Sequence, residues 1–169
     1  KLCVDLHERW RDALEAGGLK WTCQGVDTCP TVRANAHLAE LILDNLVDNA
    51  IKFTPPGGRI GVVWRKGQGL IEVEVSDTGC GIPVPDQERV FERFYQVAAA
   101  RSEVGGRQGV RRGTGLGLSI VRHAAAALGG AVSLRSALGA GTTVTLRISQ
   151  IDPTKRLGDG PGTNAQNFT

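Results

Sequence analysis

The chain has 169 residues and a mass of 17.9 kDa, with 41% apolar and 22% charged residues and a net charge of +3. That suffices for one packed domain, or one domain with a tail, and excludes an intrinsically disordered segment. No apolar run approaches the roughly 18 residues of a membrane span and no signal peptide opens the chain, so composition reads as soluble and intracellular. Cys3, Cys23, Cys29 and Cys80 lie too irregularly for a zinc site and are too few for a disulfide scaffold, which fits a reducing compartment.

Leu6, Trp10, Ala13 and Leu14 recur at helical spacing and Gly17-Gly18 supplies a stop. Leu19 to Thr22 reads as a short strand. A long helix is expected over Ala36–Phe53, ended by the turn Pro55-Pro56-Gly57-Gly58. At about 100° per residue, Asn45, Asp48, Asn49 and Lys52 fall within one narrow arc of it. Ile42, Leu43, Leu46, Ala50 and Phe53 fall on another. Asparagine is a middling helix former, so propensity does not account for two amides stacked one turn apart. Amide oxygens are hard, neutral ligands suited to Mg²⁺, whereas amide N–H groups and a lysine meet phosphate oxygens. Alone, the stripe reads equally well as an ordinary solvated helix face.

Arg59–Lys66 and Leu70–Ser76 form a hairpin across Gly67-Gln68-Gly69, the second strand alternating Ile71, Val73 and Val75 with Glu72 and Glu74. Asp77-Thr78-Gly79-Cys80-Gly81-Ile82-Pro83 follows directly. An aspartate at a strand end, before Gly-x-Gly, can accept a hydrogen bond while the backbone passes close to a flat ligand. The exocyclic amine of adenine is a fitting donor; a capped tight turn is the plain alternative. Cys80 within this turn is redox-sensitive or simply tolerated there. A short helix is expected near Asp86–Phe94. Residues 96–112 then carry Arg101, Arg107, Arg111 and Arg112 against Glu103, the whole excess charge of the chain, among Gly105, Gly106 and Gly109. Such a segment suits a polyphosphate, or is a solvated loop. It lacks the basic face or aromatic platform that nucleic acid requires.

Gly113-Thr114-Gly115-Leu116-Gly117-Leu118 opens a helix expected from near Thr114 to before Gly129-Gly130, where backbone N–H groups can meet an anion. A dinucleotide fingerprint needs a strand just before it, and Arg107–Arg112 is not one. Ala131–Ser136 pairs with Thr142–Ile148 across Gly139-Ala140-Gly141. Beyond Gln150 the chain is polar and Gly-rich, which reads as a disordered tail over 151–169. Hairpins alternating with helices argue for an α+β fold with helices on one face of a sheet.

Taken together and in order, the Asn-rich helix, the Asp-Gly-x-Gly turn, Phe91-Glu92-Arg93-Phe94, a Gly/Arg-rich loop and Gly-Thr-Gly-Leu-Gly-Leu resemble the N, G1, F and G2 boxes of sensor histidine kinase catalytic, ATP-binding domains. The likeness covers about Val4 to Ile148, with residues 1–150 as the domain. It implies a Bergerat-type two-layer α/β sandwich, its mixed, mostly antiparallel sheet covered by about three helices on one face. It further implies that Asn45 and Asn49 hold Mg²⁺ and phosphate oxygens, with Lys52 on the phosphates. Asp77 would accept the adenine amine, and Gly79, Gly81 and Ile82 would shape its pocket. Gln96 to Arg112 would be the ATP lid; Thr114, Gly115, Leu116, Gly117 and Leu118 would offer N–H groups to the phosphates. Arg93 would help present the γ-phosphate.

ATPases of the same superfamily carry a water-activating Glu where this chain has Asn45. An amide cannot take a proton from water at neutral pH, so transfer rather than hydrolysis is expected. The implied activity is donation of the γ-phosphoryl group of ATP–Mg²⁺ to a histidine on a separate dimerisation domain, with a response regulator downstream. A non-catalytic nucleotide-binding module, a serine kinase of the anti-sigma type and an ATPase are the alternatives. Of the three histidines, His7 opens the first helix, His37 sits at a helix start and His123 faces away from the apolar stripe, so none reads as the acceptor. The expected fragment is monomeric and cytoplasmic, without direct membrane contact, from a parent that is in some cases anchored in the inner membrane.

Overall fold

A computed structural model describes residues 2–25, 35–67, 69–97 and 113–149, with side chains from Leu6 onward. Most of the Arg-rich segment, the tail, Cys29 and the side chain of Cys3 therefore lie outside the described residues and side chains, as do the expectations placed on them. The first helix, α1 (Leu2–Ala16), leads into strand β1 (Lys20–Gln24), then α2 (Ala36–Phe53) and the hairpin β2 (Arg59–Lys66) and β3 (Leu70–Asp77). Helix α3 (Gly117–Ala127) precedes a second hairpin, β4 (Ala131–Ala137) and β5 (Gly141–Ser149). The strands form one sheet in the order β1-β2-β3-β5-β4, with β1 parallel to β2 and every other pair antiparallel. The α+β sandwich with a mixed sheet is as expected.

Register explains the single core. Val62 pairs with Val75, Val75 with Val144 and Val144 with Leu134, so one row of apolar side chains crosses four strands on the same face. Against them pack Ile42, Leu43, Leu46 and Val47 of α2 and Val121 and Ala125 of α3, all buried. On the opposite face Arg65 meets Glu72 and Glu74, and Arg147 meets Glu72 at 2.8 Å. These exposed pairs fix register more than they add stability.

Helix α2 begins where Asn35 Oδ1 accepts from the backbone N–H groups of His37 (3.1 Å) and Leu38 (3.4 Å), satisfying two orphan donors. Asp44, on its flank, accepts from Trp10 Nε1 (3.1 Å) and Arg9, which ties α1 to α2. His7 stacks on Trp21 with ring centroids 5.9 Å apart, while His37 and His123 are exposed.

Three expected elements differ by more than a residue at an end. The strand expected at Leu19–Thr22 runs over Lys20–Gln24, because Leu19 N–H still donates to Leu14 O to close α1, with Gly18 at φ +60°. The short helix expected near Asp86–Phe94 is instead two 3₁₀ turns, Val84–Asp86 and Arg89–Phe91. Neither turn has a side-chain cap, and Pro83 and Pro85 contribute no N–H. The helix expected from Thr114 starts at Gly117; Gly115, at φ +71°, bends the chain before it.

Candidate functional site

One cavity of about 600 Å³ opens between α2, the end of β3, the β4–β5 hairpin and the segment entering α3. Asn45, Asn49 and Lys52 line one wall, Asp77, Gly81 and Ile82 another, and Thr114 to Leu118 a third. Three of the four sequence motifs, separated by up to 73 positions, thus converge on one space.

Asp77 closes β3. Its Oδ1 accepts from the backbone N–H of Gly79 (2.7 Å) and of Thr142 (3.2 Å). Both bonds end on the same oxygen, so Oδ2 remains as the acceptor a ligand can use. Burial pushes the Asp77 carboxyl above its ordinary value of 3.8, and the two N–H donors oppose that shift. Gly79 does not line the cavity. It is buried behind it, where a Cβ would lie 2.4 Å from Phe53 O. Gly81 is forced too, by φ +71° and by Ala137 O at 2.0 Å from any Cβ. Around this turn Ile82 N–H donates to Ser136 Oγ (2.8 Å), and Gln87 Nε2 donates to Ile82 O (3.0 Å) and Ser136 O (2.8 Å). Hydrogen bonds to Ser136 of β4 and to Gln87 thus hold the turn in place.

On α2, Asn45, Asp48, Asn49 and Lys52 are half-buried, not a solvated face. Asn45 Nδ2 donates to Leu41 O at 2.7 Å, which leaves Oδ1 as the free acceptor of the amide, on the side of Gly117 at the start of α3. Lys52 Nζ is hydrogen-bonded to Asp48 Oδ2 one turn away. Among the described residues no cluster of three His, Cys, Asp or Glu side chains could hold a metal alone. Neutral amide oxygens beside one carboxylate nevertheless suit a hard dication whose other ligands come from phosphate.

The two ends of the Arg-rich segment meet at the cavity rim. Phe94 N–H donates to Gly115 O (2.8 Å), and Gln96 Nε2 donates to Gly113 O (2.5 Å). Tyr95 lines the cavity, its hydroxyl donating to Asp86 Oδ1 and its ring lying 4.3 Å from the Arg89 guanidinium carbon. Cys80 also lines the cavity. Arg93 does not; it borders a neighbouring shallow depression with Leu38, Leu41 and Phe94.

Sequence reasoning missed Thr142, Asp48 as Lys52's partner, Tyr95 and the apolar wall of Leu134, Leu138 and Val144. Only Asp48 carried a signal, its place four residues before Lys52.

Against known proteins, the profile of the family described as "Histidine kinase-, DNA gyrase B-, and HSP90-like ATPase" matches residues 34–151. The sensor-like histidine kinase SenX3 of Mycolicibacterium smegmatis is 49% identical over 106 residues, 63% of this chain and 26% of that protein. The chain thus spans about a quarter of that relative's length. The catalytic domain of histidine kinase ThkA, in a nucleotide-free form, superposes with a TM-score of 0.72 over 88% of this chain and 90% of that one; at 22% identity it shows a shared fold. Full-length ShkA in complex with AMPPNP is 27% identical with a TM-score of 0.74, over 89% of this chain and 30% of that one.

Proposed function

Because this chain belongs to the family of histidine kinase-, DNA gyrase B- and HSP90-like ATPases, we propose that its cavity binds ATP with Mg²⁺ and donates the γ-phosphoryl group to a histidine. That histidine lies on a separate phosphoacceptor domain, and a response regulator receives the group next. One observation carries the reading: a single cavity holds a half-buried carboxylate with one unengaged oxygen at one end and two carboxamides, a lysine and a glycine-rich helix start at the other. Asp77 Oδ2 takes the adenine amine, with Gly81 and Ile82 against the base and Gly79 allowing the turn. Asn45 and Asn49 hold the metal and phosphate oxygens, and Thr114 to Leu118 contribute backbone N–H groups. The metal, when bound, neutralises charge on the phosphates.

Transfer rather than hydrolysis is supported by Asn45, whose amide accepts no proton from water, and whose Nδ2 is already committed to Leu41 O. An imidazole needs no base to attack phosphorus, so positioning and charge neutralisation suffice. Arg93, outside the cavity, is assigned to the approach of the acceptor and not to holding nucleotide. Among the described residues no helix is long and apolar enough to cross a membrane.

Calorimetry with Mg²⁺–ADP or Mg²⁺–AMPPNP is the test, followed by transfer from labelled ATP to a histidine-bearing acceptor helix pair. Binding with an acid-labile phosphoprotein product is expected. Absence of binding, or an acid-stable product, overturns the proposal; the latter would indicate a serine kinase.

A further inference from the structure

Among the described residues, the charge lining the cavity is opposite to what a polyphosphate site alone would need. Among the described residues that line it, Lys52 is the cation, against the carboxylates of Asp48 and Asp77. Lys52 is moreover paired with Asp48, and both side chains are only partly exposed, 23% and 36%. The stripe of Asn45, Asp48, Asn49 and Lys52 therefore presents no net charge to phosphate, and the described lining residues together carry one negative charge.

We propose that Asp48 is a specificity-determining residue that restricts this site to metal-loaded nucleotide. Its carboxylate engages Lys52 and repels a bare polyphosphate. A dication between phosphate and helix converts that repulsion into attraction, so the same carboxylate penalises one ligand form and favours the other. Asn45 Oδ1, left free because its own Nδ2 is committed to Leu41 O, belongs to the same stripe and supplies a neutral oxygen to the same ion. This inference rests on the nucleotide reading above.

Calorimetry on the full chain, with ADP in excess Mg²⁺ and ADP in EDTA, tests it. Asp48→Asn is expected to tighten metal-free ADP binding by about five- to tenfold and to shrink the advantage of the Mg²⁺ form by at least that factor. Asp48→Ser, which adds no amide ligand, is expected to behave alike. An unchanged ratio of the two affinities in both variants overturns the role of Asp48 while leaving the nucleotide site standing. Failure of the unsubstituted chain to bind either form overturns the nucleotide reading itself.

Discussion

A Cβ placed on Gly117 would lie 3.3 Å from Asn45 Oδ1 and 3.3 Å from Asn49 Nδ2. The first residue of α3 is bare because two carboxamides of α2 occupy the space beside it. Gly117→Ala separates stability from binding. Alanine is the better helix former by about 1 kcal/mol, and the neighbours need to yield only a few tenths of an ångström. The variant is expected to melt no lower than the parent, while Mg²⁺–ADP affinity falls about tenfold as the amides are displaced. Thermal melting and calorimetry on one preparation check both halves; a drop in melting temperature with intact affinity contradicts the argument.

Asp77 has a pH signature with two opposite signs. Its pKa is raised in the folded chain, chiefly by burial, so the fold binds this proton more readily than the unfolded chain does. The stability it contributes is full below the ordinary value of 3.8 and is lost as pH rises through the raised one. Adenine recognition needs the ionised form and is lost as pH falls through that same raised pKa. Asp77→Asn keeps an oxygen for Gly79 and Thr142 but turns an NH₂ toward the adenine amine. It is expected to lower affinity by about ten- to a hundredfold, the worth of a charge-assisted hydrogen bond, and to remove the acid-side loss of binding. Affinity profiles over pH for both proteins decide it.

The same aspartate was legible in the sequence as an acidic residue at a strand end; what clamps it was not. Thr142 N–H and Gly141 come from a hairpin more than sixty positions later, and no local spacing reports that they meet Asp77. Helix α2 could be read to both ends because the proline-glycine turn after Phe53 and the apolar period agree. The short helix expected near Asp86–Phe94 failed because prolines and absent caps left only 3₁₀ turns. The Asn45/Asn49 stripe and the i,i+4 spacing of Asp48 and Lys52 were visible as a pattern, whereas the half-buried state of the stripe depends on α3 and the rim packing beside it.

Gly139 and Gly141 turn the same hairpin with positive φ, +73° and +94°, yet a Cβ on Gly139 meets nothing within 4 Å and one on Gly141 meets Asp77 O at 2.0 Å. Gly139→Ala carries only the left-handed backbone cost, about 1–2 kcal/mol. Gly141→Ala adds a clash with backbone that cannot swing aside, and is expected to cost at least about 2 kcal/mol more. It should also weaken nucleotide binding, because the strand end carrying Asp77 moves. Urea unfolding of the pair measures the gap; equal losses would mean the turn relaxes freely.

Phe94 adopts φ +63°, alone among the described non-glycine residues, and is 70% exposed. Its N–H donates to Gly115 O, and a Cβ on Gly115 would press on Phe94 Cα at 2.8 Å, so the two residues hold each other at the cavity rim. Replacing Phe94 by glycine or by alanine removes the same ring, so the difference between the variants reports the backbone alone. At an ordinary position alanine is favoured through lower entropy in the unfolded chain, by about 0.4–1 kcal/mol. Here the left-handed geometry reverses the order, and Phe94→Gly is expected to be more stable than Phe94→Ala by about 1 kcal/mol. Chemical denaturation of the two variants measures this directly. Alanine proving the more stable of the two would show that residue 94 leaves its left-handed conformation once the ring is gone, and that Gly115 does not hold it there.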